Sequence, residues 1–136
     1  MKLRPGMEAL IRAGEAAGLK LAIATTTSPE NVAALLAATL PGEGNALFPV
    51  IAAGPMAKAK KPDPDIYLVA CSMLGLPPAD CLAIEDSRNG ILAAKGAGLR
   101  VIAVRSAYCG HDDLSGADLV VEDTATLDLP RILALA

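Results

Sequence analysis

The chain has 136 residues, 53% of them hydrophobic, which suits one compact domain over residues 1–136 with a full core. Only Phe48, Tyr67 and Tyr108 are aromatic, so the core must be aliphatic, and base stacking on single-stranded nucleic acid is ruled out as a mode of binding. The net charge of -3 and pI near 5.0 leave no electrostatic footprint for DNA, RNA or an anionic membrane, and no apolar run nears the roughly 20 residues of a bilayer span.

The first helix is expected over about residues 5–17, with Pro5 near its start and Gly18 just past its end. A strand follows over 19–24 and runs into Thr25-Thr26-Thr27. Ser28 is placed as an N-cap with Pro29 at the first helical position, and Val32, Leu35, Leu36 and Leu40 share one face of that helix. Residues 41–45 read as a loop and 48–53 as a short buried strand. The prolines of Lys61-Pro62-Asp63-Pro64 oppose helix and favour an extended path, and Asp63 is available to cap a helix beginning at Pro64. Ile66, Val69, Ala70, Met73 and Leu74 form an apolar stripe on that helix, which Gly75 ends. A buried strand over 81–84, a helix over 88–97, strands over 100–104 and 118–121 and a short helix over 130–135 complete the chain. Alternating strands and helices predict a mainly parallel sheet with helices on both faces.

Residues 1–6 carry charge without an apolar signal region behind it, so a cytoplasmic location is expected. Cys71, Cys81 and Cys109 match no zinc spacing and read as reduced structural thiols. His111, the sole histidine, lies in a polar loop and reads as solvated.

In open α/β sheets, ligands bind at the carboxyl ends of strands. Three such ends stand out. Thr25-Thr26-Thr27-Ser28 places hydroxyls and free amides where a helix begins, which suits a phosphate, although a Ser-capped turn explains the same residues. Lys61 before Pro62 presents an ammonium suited to a phosphoryl group, although a solvated run of lysines is the plainer reading. Glu85-Asp86 follows four apolar residues. A hard cation bound through oxygens would compensate both acids, and a helix cap plus a solvated acid is the alternative.

Taken in order, these three segments resemble motifs two, three and four of the haloacid dehalogenase (HAD) superfamily. The stretches Leu21–Ser28, Lys61–Tyr67 and Ala83–Gly90 are similar to the group containing β-phosphoglucomutase and the CbbY phosphatases, and Leu3-Arg4-Pro5-Gly6 resembles that group's re-entry from cap domain to core. The resemblance spans residues 3 to about 135. It implies a three-layer α/β/α Rossmann-like core and a phosphatase of small phosphorylated sugars, in which an aspartate attacks a phosphate monoester and a second aspartate acts as acid and base. It further implies that Thr25 and the Thr26 amide hold phosphoryl oxygens, that Lys61 bridges phosphate and nucleophile, and that Glu85 and Asp86 bind Mg²⁺.

The family's Asp-x-Asp-Gly-Thr nucleophile segment is absent. Asp63-Pro64-Asp65 follows a lysine run rather than a buried strand, and 120–127 lacks the second Asp and the Gly. The resemblance places the missing strand between those ending at Thr25 and at Asp86. Either these two close up and pair, or another chain fills the gap; a homo-oligomer, domain-swapped in one form, or a complementing N-terminal segment is expected. The chain then reads as a phosphatase, or as the C-terminal part of one that is inactive alone, with a non-catalytic phosphate-binding or partner subunit as the alternative. A receiver-like domain lacks its phosphoacceptor Asp, a flavodoxin-like one lacks aromatic rings, and no Gly-x-Gly-x-x-Gly follows a strand.

Overall fold

The computed structural model describes residues 6–40, 42–105, 113–122 and 129–134. Tyr108, Cys109, His111 and residues 123–128 lie outside them. The elements in chain order are α1 (Met7–Ala16), β1 (Ala22–Ala24), α2 (Pro29–Thr39), α3 (Gly44–Leu47), β2 (Val50–Ala52), α4 (Asp65–Leu74), β3 (Leu82–Glu85), α5 (Arg88–Ala97), β4 (Arg100–Val104), β5 (Leu119–Val121) and α6 (Leu129–Leu133).

Side-chain alternation along the strands sorts the helices into two layers. Ala24, Ala52, Ala83, Val101 and Ala103 pack with Ile66, Ala70, Ala93 and Ala94, so small residues meet α4 and α5. Ile23 and Ile51 pack with Ile11, Val32 and Leu36, while Leu82, Ile84, Ile102 and Val104 pack with Leu10 and Ile132. The larger residues therefore meet α1, α2 and α6. This is a three-layer α/β/α sandwich, and every strand pairing described is parallel.

The middle layer is divided. β1 pairs only with β2, and β3, β4 and β5 form a separate sheet in that order. No ladder joins β1 to β3 among the described residues, so the two strands have not closed up. They stand as facing edges of a cavity of about 570 Å³.

Local signals explain most boundaries. Ser28 accepts a hydrogen bond from Asn31 N–H and Ser87 one from Gly90 N–H, capping α2 and α5. Gly75 and Gly98 close α4 and α5 in the left-handed region.

Four expectations are corrected. The strand expected from Leu19 begins at Ala22, because Leu19 N–H is taken by Gly14 O in closing α1. The loop expected over 41–45 yields α3 from Gly44, where a Cβ would lie 2.7 Å from Leu36 Cβ; the missing side chain lets α2 and α3 touch. The buried stripe of α4 is Ile66, Tyr67, Ala70 and Cys71, with Met73 turned to solvent. Lys61-Pro62 is a cis peptide within a turn that Asp63 N–H closes onto Lys60 O at 3.0 Å, not an extended run. Asp63 does cap locally, through Asp65 N–H at 3.1 Å, one residue later than expected.

Candidate active site

β1 ends at Ala24 and β3 at Glu85, and the turn before α4 delivers Lys61 between them. Lys61 Nζ lies 2.6 Å from Glu85 Oε2 and donates to Ala24 O at 3.3 Å. The ammonium thus ties together the carboxyl ends of two strands that share no ladder. Both side chains are largely withdrawn from water, at 18% and 9% exposure, so this pair is worth more than a surface ion pair and depends more on having its partner.

Tyr67, one turn into α4, donates its hydroxyl to the same Glu85 Oε2, and its ring centroid lies 5.1 Å from Lys61 Nζ. Burial, then the Glu85 charge, pushes the Tyr67 hydroxyl far above the usual phenol range, so it stays a donor. Two donors converge on Oε2 while Oε1 lies against Gly90, where any Cβ would overlap it. Asp86 stands exposed at the same strand end.

Across the gap, Thr25 continues β1 through its N–H to Ala52 O. Its Oγ1 accepts Thr27 N–H at 3.2 Å, which leaves the hydroxyl hydrogen available. Gly54 lets the neighbouring turn approach the Thr26 carbonyl, since a Cβ there would fall 2.5 Å from Thr26 O. Asn31 fastens the start of α2 by donating from Nδ2 to Thr27 Oγ1 at 2.9 Å.

The structure therefore brings Lys61 and Glu85 into contact, as the order of motifs suggested, and sets Thr25, Thr26 and Asp86 on the two strand ends that Lys61 spans. Tyr67, Gly90 and the Ala24 carbonyl went unread as site residues in the sequence. Gly90 had a signal, because a glycine inside a helix costs about 1 kcal/mol and calls for a packing reason. Tyr67 had a weaker one, as one of three aromatics in the chain. Among the described residues no three His, Cys, Asp or Glu gather. Glu85 and Asp86 are thus the carboxylates available here, a number that fits Mg²⁺, which takes one or two and fills its shell with water and phosphate oxygens.

The model of the haloacid dehalogenase-like hydrolases matches residues 1–98. The chain belongs to the haloacid dehalogenase-like hydrolases. Within them it is CbbY-like. It is 50% identical over 133 residues to protein CbbY of Rhodobacter capsulatus, covering 96% of this chain and 59% of that protein. The structure of CbbY from Rhodobacter sphaeroides with xylulose-(1,5)bisphosphate superposes with a TM-score of 0.91 at 47% identity, over 95% of this chain and 58% of that one. A structure of the same protein with phosphate superposes equally well. β-Phosphoglucomutase of Clostridium difficile follows at a TM-score of 0.82 and 27% identity. The HAD-like chain thus spans a little under three-fifths of the length of the CbbY proteins it matches most fully.

Proposed function

We propose that this chain carries the phosphate- and cation-binding part of a Mg²⁺-dependent phosphatase of small phosphorylated sugars, a ketose bisphosphate among them. The observation that supports it is the Lys61 bridge, which joins Glu85 to the end of β1, next to Thr25. In this reading the Thr25 hydroxyl and the Thr26 amide donate to phosphoryl oxygens. The Lys61 ammonium lies between phosphate and nucleophile and offsets the charge that builds on the phosphoryl oxygens. Glu85 and Asp86 hold Mg²⁺, which when bound neutralises the transferring group. Tyr67 and Gly90 fix the Glu85 carboxylate.

The attacking carboxylate belongs to an Asp-x-Asp segment that the 136 residues do not contain. A complementing segment supplies it, so the chain alone binds phosphate and does not hydrolyse esters. That same absence favours a second reading, a non-catalytic phosphate-binding subunit. Equilibrium dialysis of inorganic phosphate and of xylulose 1,5-bisphosphate, with and without Mg²⁺, tests the binding shared by both. Wild-type chain should retain each anion in Mg²⁺, and Glu85→Ala and Lys61→Ala should not. Equal retention by all three proteins, or by none, would refute the site. Ester hydrolysis on adding a peptide that bears the Asp-x-Asp segment separates the enzyme from the binding subunit.

A further inference from the structure

The cavity between β1 and β3 has the shape of an absent sheet strand. Its two sides are strand edges. Thr25 N–H is spent on Ala52 O of the β2 side, so by the alternation of a parallel ladder Ala22 and Ala24 turn their backbone groups the other way, into the cavity. The Ala24 carbonyl met by Lys61 agrees with this. On the far side, Arg100 N–H reaches Cys81 O, and the same alternation turns Leu82 and Ile84 into the cavity. Its two remaining faces are closed by helices. Leu10, Ile11 and Ile132 line one face, and Ala70, Cys71 and Leu74 line the other.

A peptide entering such a space meets unpaired donors and acceptors on both edges and apolar surface above and below. Only an extended strand satisfies both edges at once. On the two flanking strands, residues facing α4 are small (Ala24, Ala83), and residues facing α1 and α6 are large (Ile23, Leu82, Ile84). None of residues 1–5, 106–112 or 123–128 reads as an apolar run of strand length.

We propose that this cavity is a receptor for one further β-strand, parallel to β1 and β3, apolar throughout and alternating small with large side chains. The occupant is a polypeptide segment outside these 136 residues, and it binds when offered as a separate peptide. The inference concerns backbone pairing alone and does not rest on the phosphatase reading.

The test uses the full chain and a soluble probe peptide with an Ile-Ala-Ile-Ala-Ile core between lysines. Amide hydrogen exchange is followed by NMR. Exchange at Ala22, Ala24, Leu82 and Ile84 should slow together by about tenfold or more as the peptide saturates. A peptide with proline replacing the central isoleucine, which lacks one donor, should bind at least tenfold more weakly. An all-isoleucine core should also bind more weakly, through crowding against α4. Protection of one edge only would mean addition to an outer edge and would overturn the proposal. So would four amides already protected in a dimer of the chain alone, with a second copy in the cavity. Binding of all three peptides alike would reduce the site to a greasy surface. Phosphate dialysis on the same sample reads the other site separately, so failure of one leaves the other standing.

Discussion

Lys61 and Glu85 form an ion pair at 2.6 Å in which each group is the main charge partner of the other, away from most solvent. Removing one member strands its partner. Lys61→Met should cost about 2–3 kcal/mol, less than a fully buried pair because Tyr67 still donates to Glu85. The double variant Lys61→Met/Glu85→Gln should recover part of that loss. Urea denaturation of the single and double variants checks both values, and additive losses would show that the pair is not coupled.

Tyr67→Phe keeps the ring and deletes only the donor to Glu85. A hydrogen bond to a charged acceptor is worth about 1.5–3 kcal/mol, so stability should fall by an amount in that range. The Lys61 ammonium keeps its ring contact, so the loss should be clearly smaller in a Glu85→Gln background, measured as a double-mutant cycle.

Two glycines of α5 should respond oppositely to alanine. At Gly90 the new Cβ overlaps the Glu85 carboxylate and must displace it, with an expected cost of about 1–3 kcal/mol. At Gly96 the nearest atom is Pro64 Cβ at 3.4 Å, an ordinary contact, and the helical residue gains about 0.5–1 kcal/mol from alanine. Thermal melting of both variants decides the sign at each.

Asp118 ties β4 to the segment before β5. It accepts Val101 N–H at 2.7 Å and pairs with Lys95 at 3.0 Å, and these contacts, the backbone one foremost, hold its carboxyl below the usual range. A carboxylate with a depressed folded pKa adds stability that is fully present above its unfolded value, near 3.9, and is lost as pH falls through the folded one. Asp118→Asn should therefore narrow the gap to wild type as pH drops from about 5 toward 2. Denaturation midpoints across that window give the measurement, and a constant gap would refute the linkage.

Much of this molecule was readable before any coordinates. Residues 88–97 and 100–104 matched α5 and β4, because Ser87 and Gly98 punctuate that stretch locally. The order of Thr25, Lys61 and Glu85-Asp86 pointed to one end of a sheet, where the structure brings Lys61 and Glu85 together. What escaped were features set by distant partners. Helix α3 depends on Gly44 meeting Leu36, and the stripe of α4 turns toward Tyr67 because a carboxylate eighteen residues away accepts its hydroxyl. Periodicity within one segment carries no record of such a partner.

The two serine-capped helices α2 and α5 both begin just beyond the strand ends that Lys61 joins. Each aligned helix backbone carries roughly half a positive charge at its start. Together they supply about as much positive potential as a second lysine, and they cannot be protonated, deprotonated or folded away. With Lys61 they nearly neutralise Glu85 and Asp86 before any ligand arrives. An incoming phosphate dianion would then leave about two negative charges unbalanced, the charge of one divalent cation. Anion and cation should for this reason raise each other's affinity by the same factor, a reciprocity that titration in either order will reveal.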